Sequence, residues 1–68
     1  MMTAGQKMRE LRGNRTKEEV ATAINVTCSS YIKYERDERT PRDEVKIRIA
    51  KYFDTTVSNI FFAHLEHK

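Results

Sequence analysis

Threonine punctuates this chain. Thr16, Thr27, Thr40 and Thr56 each stand just ahead of a stretch whose apolar residues recur three and four apart, where a hydroxyl can accept from the free N–H groups of a helix's first turn. Stops fall between them: Gly13-Asn14, Asn25, the polar run before Pro41, and Asp54-Thr55. A chain cut so often can form only short helices, and its fold must come from packing them together.

The expected helices number five. Helix 1 runs over about residues 4–12 with Met8 and Leu11 on one stripe. Thr16 and Glu19 have the spacing of a capping box and open helix 2 over residues 17–24, with Val20, Ala21 and Ile24 inward. Thr27 opens helix 3 over residues 28–36, with Tyr31 and Tyr34 on one side and Cys28, Ser29, Ile32 and Lys33 largely on the other. Thr40 caps helix 4, Pro41 takes its first position, and Val45, Ile49, Ala50 and Phe53 form its buried stripe. Thr56 opens a last short helix with Val57, Ile60 and Phe61 inward, and residues 63–68 form a frayed tail.

At 68 residues the chain is expected to be one domain, residues 1–68, near the lower size limit for a core without staples. Cys28 is the only cysteine, and His64 and His67 supply no set with zinc-ligand spacing. No metal, cofactor or small-molecule ligand is expected. No apolar run approaches the roughly 20 residues that span a bilayer, and the N-terminus lacks a signal-peptide pattern, so a cytoplasmic protein away from membranes is the expectation. The net charge of +3 favours a polyanionic partner, but acidic residues are interspersed throughout, so charge alone decides little.

The informative unit is the pair of helices over about residues 16–36, joined by a turn of about three residues with a left-handed position at Asn25. That arrangement is expected to have the geometry of a DNA-reading helix-turn-helix. Ala21 is small enough for close helix approach, and Val20, Ile24, Val26, Tyr31 and Tyr34 fill the angle.

In Thr16-Lys17-Glu18-Glu19-Val20-Ala21, Asn25-Val26-Thr27, Tyr34-Glu35, Arg39-Thr40-Pro41 and Ile49-Ala50-Lys51, the chain resembles the Cro/CI-type (XRE) helix-turn-helix family of phage and bacterial regulators. The resemblance covers about residues 5–62. Leu11-Arg12-Gly13-Asn14-Arg15 and Ile60-Phe61-Phe62 are similar to a branch common in Gram-positive bacteria and their phages. It implies an all-α, five-helix, lambda-repressor-like domain acting on double-stranded DNA in the bacterial cytoplasm.

The resemblance places helix 3 in the major groove, with Cys28, Ser29, Ser30, Ile32 and Lys33 as the base-reading set. Lys33 can bond guanine O6 and N7, Ser29 can donate or accept, and Cys28 or Ile32 can touch a thymine methyl. Lys17 stands where the family usually has a phosphate-binding glutamine. Asn14, Arg15, Arg36, Arg39 and Arg42 flank the two helices, where family members meet phosphate or the minor groove. Glu35 is expected to pair with Arg9 or Arg12. Three departures from the family pattern are Ile32, Asp43 and Lys46, and the last two suggest that helix 4 packs through Val45 and Ile47.

Plainer roles compete with several of these. A lone cysteine is most often an inert small residue, tail histidines are most often solvated, and the tyrosines' spacing favours packing over stacking on bases. Phe61 and Phe62 are adjacent, so both cannot enter one small core, and Val57, Phe61 and Phe62 are the candidate surface for a homodimer. A dimeric repressor on a palindromic operator is the leading reading. A protein-interaction module on the same fold, an antitoxin or antirepressor, is the alternative. No nucleophile, base and acid arrangement, carboxylate pair in a cleft or phosphate-cradling glycine loop supports an enzyme.

Overall fold

The computed structural model describes residues 2–62 and shows five helices in them: α1 (Ala4–Arg12), α2 (Lys17–Ala23), α3 (Cys28–Glu35), α4 (Asp43–Tyr52) and α5 (Val57–Phe61), with no strand among the described residues. The expected tail over residues 63–68, with His64 and His67, lies outside them. The fold is the five-helix, lambda-repressor-like one.

Threonine begins four of the helices. The hydroxyls of Thr3, Thr16, Thr27 and Thr56 accept from the backbone N–H of Gln6, Glu19, Ser30 and Asn59. Thr3 and Gln6 form a reciprocal capping box, a start that the sequence reading did not assign. Helix α4 departs from expectation. Thr40 does not cap it; Arg42 is the N-cap, without a side-chain cap bond, and Asp43 and Glu44 fill the first turn. The cause is Pro41, which is buried and lines, with Ala4, Met8 and Phe61, a void of about 60 Å³. Seating the ring there keeps the chain extended through Arg42, and the helix begins two residues later than Pro41.

Three helices end in one geometry. After α2, α3 and α4 come Asn25, Asp37 and Asp54 at φ 60°, 59° and 57°. In each case the left-handed residue donates its N–H three residues back and the next residue donates five back: Asn25 to Thr22 and Val26 to Ala21, Asp37 to Tyr34 and Glu38 to Lys33, Asp54 to Lys51 and Thr55 to Ala50. This is the Schellman motif, which satisfies carbonyls that a helix end leaves free. Gly13, at φ 58°, stops α1.

Helices α1 and α2 both pack on α3, while α5 packs on α4 and α1. The core between them holds Met8, Val20, Ala21, Ile24, Tyr31, Tyr34, Val45, Ile49, Ala50, Phe53, Ile60 and Phe61. Gly5 is where α1 touches α3: a Cβ there would run into the Glu35 carbonyl oxygen. Ile47 does not join the core and stands 48% exposed. It follows Val45 by two positions, about 200° around a helix whose stripe is set by Val45 and Ile49. The Lys46 ammonium instead lies over the Phe61 and Phe62 rings, at 5.4 and 5.0 Å from their centroids.

Candidate nucleic-acid interface

Helices α2 and α3, with Ile24, Asn25, Val26 and Thr27 between them, form the bihelical unit anticipated from the sequence. Its inner angle is filled by Val20, Ala21, Ile24, Tyr31 and Tyr34, all buried, so the tyrosines belong to the core and are not available for stacking on bases.

What fixes α3 is ionic as well as apolar. Glu35, at the end of α3, is 2% exposed and receives two bonds from Arg12, Nε to Oε2 at 2.7 Å and Nη2 to Oε1 at 3.2 Å. Arg12 also donates to the carbonyl of Arg15 at 2.9 Å, and Arg9 to the carbonyl of Glu35 at 3.3 Å. Of the two candidates for pairing with Glu35, Arg12 takes the carboxylate and Arg9 the backbone. Bidentate bonding to Glu35 raises the Arg12 pKa. The buried Tyr31 hydroxyl has no hydrogen bond of good geometry, and burial, reinforced by the neighbouring Glu35, pushes its pKa up.

Asp37 adds a second tie. Its carboxylate accepts from the Thr3 hydroxyl at 2.6 Å and from the Gly5 N–H at 3.0 Å. The residue that ends α3 therefore also anchors the start of α1. Nothing in the sequence spacing marks this link, because it depends on the two helix ends meeting in space.

With α3 so held, its first turn presents Ser29 exposed, Cys28 half-buried against the core, and Ile32 and Lys33 half-buried one turn on. Ser30 is engaged locally: its Oγ accepts from Thr27 Oγ1 at 3.0 Å and from Arg39 Nη1 at 3.4 Å. Lys17 is half-buried at the start of α2, whereas Asn14, Arg36, Arg39 and Arg42 are exposed. Arg36 pairs with Glu38 at 3.2 Å. The guanidinium of Arg15 stacks over Tyr52 and Phe53, at 5.2 and 5.6 Å from their centroids, which ties the α1–α2 loop to the end of α4. Among the candidate dimer residues Phe61 is 8% exposed and belongs to the core, Val57 packs partly against it, and Phe62 is 38% exposed.

Beside α3 lies a feature that the sequence did not signal. A cleft of about 500 Å³ runs between the α2–α3 turn and α4, lined by Thr27, Ser30, Arg39, Arg42, Glu44 and Arg48 among others. Arg48 sits between two isoleucines in α4, where a one-dimensional pattern reads it as surface charge.

A family model described as helix-turn-helix matches residues 6–60, well over half of the chain. The chain belongs to the Cro/CI-type helix-turn-helix family. Comparison with curated proteins and with solved structures returns no match. As a member of that family, this helix-turn-helix chain is a DNA-binding regulator, and α3 is the element that corresponds to its recognition helix. No helix among the described residues is long and apolar enough to cross a membrane.

Proposed function

We propose that this chain represses transcription by binding a palindromic operator as a homodimer, with α3 in the major groove. The supporting observation is the two-sidedness of α3: Tyr31, Tyr34 and Glu35 are buried, while Ser29 is exposed and Cys28, Ile32 and Lys33 are half-buried beside it. Ser29 and Lys33 carry polar discrimination, Lys33 through guanine O6 and N7, and Cys28 and Ile32 supply apolar contact to thymine methyls. The engaged Ser30 hydroxyl serves the helix start more than the bases. Lys17, Asn14, Arg36, Arg39 and Arg42 set register on the phosphates. Arg15, stacked on two rings, presents its charge at the edge of this set.

One monomer reads few base pairs, and each good bidentate pair discriminates by only about 1–3 kcal/mol. A two-fold dimer doubles the reading surface on half-sites about one DNA turn apart, through Phe62 and Val57. Such a dimer over a promoter excludes polymerase by bulk.

The test is selection of the full chain on a randomised duplex library at physiological salt. The expected product is a palindrome bound about a thousandfold or more tighter than scrambled duplex. On that site Lys33→Ala relaxes the preference at one base position, and Lys17→Ala weakens all duplexes alike while lowering the salt slope by about one. Absence of enrichment would transfer the fold to a protein-interaction role.

A further inference from the structure

Asp37 is an acidic residue in the loop that carries Arg36, Arg39 and Arg42, all of them exposed. A carboxylate among side chains that meet a polyanion works against them unless its charge is taken up elsewhere. Here α1 takes it up. Asp37 Oδ1 accepts from the Gly5 N–H at 3.0 Å and Oδ2 from the Thr3 hydroxyl at 2.6 Å, at the start of a helix with no acidic residue in its own first turn. Asp37 thus does for the positive end of α1, from across the fold, what an acidic first-turn residue does locally.

Three further features fit this contact. Asp37 sits at φ 59°, a left-handed conformation that aspartate tolerates better than most residues. Gly5 leaves room for the carboxylate, since a Cβ there would stand 2.9 Å from Asp37 Oδ1. The Thr3 hydroxyl accepts from the Gln6 N–H at 3.1 Å and keeps its own proton for Asp37. The loop beyond Asp37 is seated at the same place, where Arg39, Thr40 and Pro41 line one small void with Ala4 and Met8 of α1.

We propose that Asp37 and Thr3 are positioning residues for DNA binding. Their bond clasps the loop of residues 36–42 to the start of α1, and the start of α1 thereby fixes where Arg36, Arg39 and Arg42 stand against the duplex. Thr3 acts through Asp37, and Asp37 through the loop backbone. The proposal rests on the DNA-binding reading, from which it takes the role of the loop arginines.

The test measures binding of the full chain to a mixed-sequence duplex, because backbone contacts act on every sequence alike. It is run at a temperature where circular dichroism shows each variant folded, so that a variant which only lowers stability binds as the wild type does. Asp37→Gly separates the clasp from simple charge by sign. Glycine suits the left-handed backbone, and the substitution deletes a negative charge beside the phosphates, so charge alone predicts tighter binding. Loss of the clasp predicts binding about five- to tenfold weaker. Thr3→Val, which changes no charge, is expected to weaken binding by a similar factor and to shift the backbone amide resonances of residues 36–42, while Thr3→Ser binds as the wild type does. Thr3→Val combined with Asp37→Gly should lose no more than the larger single loss, since both remove one contact. Tighter binding by Asp37→Gly with unchanged binding by Thr3→Val overturns the proposal and leaves the DNA-binding reading standing. A wild-type chain that binds no duplex overturns that reading, and the proposal with it. Should Asp37→Gly not fold, Thr3→Val against Thr3→Ser decides.

Discussion

Tyr31 shows how one side chain carries opposing demands. Its ring is wholly buried at the centre of the core, while its hydroxyl sits near the Arg12–Glu35 pair without a bond of good geometry. Burial disfavours the phenolate, so the folded-state pKa lies above the ordinary value near 10. The sign follows from linkage: below pH 10 both states are protonated, and above it the unfolded chain releases a proton that the fold retains. Stability attributable to Tyr31 is therefore complete below pH 10 and is lost above it at up to about 1.4 kcal/mol per pH unit. Tyr31→Phe removes the hydroxyl and keeps the ring. Its cost at pH 7 should be within about 1 kcal/mol, and its urea midpoint should fall less steeply than that of the wild type between pH 9.5 and about 11. Parallel loss in the two proteins would show that the alkaline transition belongs to other groups. Glu35 has no such tolerance, because replacing Arg12 would leave a buried carboxylate without its cation, a defect worth about 3–5 kcal/mol.

At the level of the helix, the ends define the fold, and three of them do so with non-glycine residues. Asn25, Asp37 and Asp54 all hold left-handed backbone, which costs an L-residue about 1–2 kcal/mol relative to glycine. Asp54 makes no side-chain hydrogen bond or ion pair among the described residues, whereas Asp37 also holds Thr3 and Gly5. Asp54→Gly should thus raise stability by about 1 kcal/mol, a gain of several degrees in thermal midpoint for a domain of this size. Asp37→Gly relieves the same backbone cost but frees the start of α1, and its melting point should fall. Melts that moved in the same direction would refute the second role of Asp37.

The same comparison explains what was legible in advance. Thr16, Thr27, Thr56, Gly13 and Asn25 act within a few residues of themselves, and their spacing alone located five helix boundaries. The Thr40 cap failed because the burial of Pro41 against α1 and α5 is a tertiary fact. Ile47 misled because Lys46, counted as a substitution at an apolar position, stays where it is and lays its ammonium over two phenylalanines. The family was legible through residue identity and register, which the match over residues 6–60 bears out. The cleft beside α3 was not, because it forms only where α4 meets the α2–α3 turn.

For the molecule as a whole, the open question is what covers α5. Phe61 turns into the core, which leaves Phe62 exposed at its side, with the Lys46 ammonium over both rings and Asp43 at 3.9 Å from that ammonium. A lysine kept beside exposed aromatic surface suits a face that is wet in the monomer and apolar enough to pair, because the long stem can stay while its charge moves to the rim. Burying a phenylalanine side chain contributes about 1.5–3 kcal/mol, and a two-fold axis makes that contribution twice. Phe62→Ser should therefore leave the thermal midpoint of the monomer nearly unchanged but weaken self-association, seen by sedimentation, and palindrome binding by at least about tenfold. Binding to an isolated half-site should not change. Phe61→Ser gives the contrasting result, destabilising the fold itself by opening a cavity under α5. If Phe62→Ser lowered half-site and palindrome binding equally, this face would not be the dimer contact. Pairing would then have to run through another surface, of which exposed Ile47, one residue from Lys46, is the next candidate.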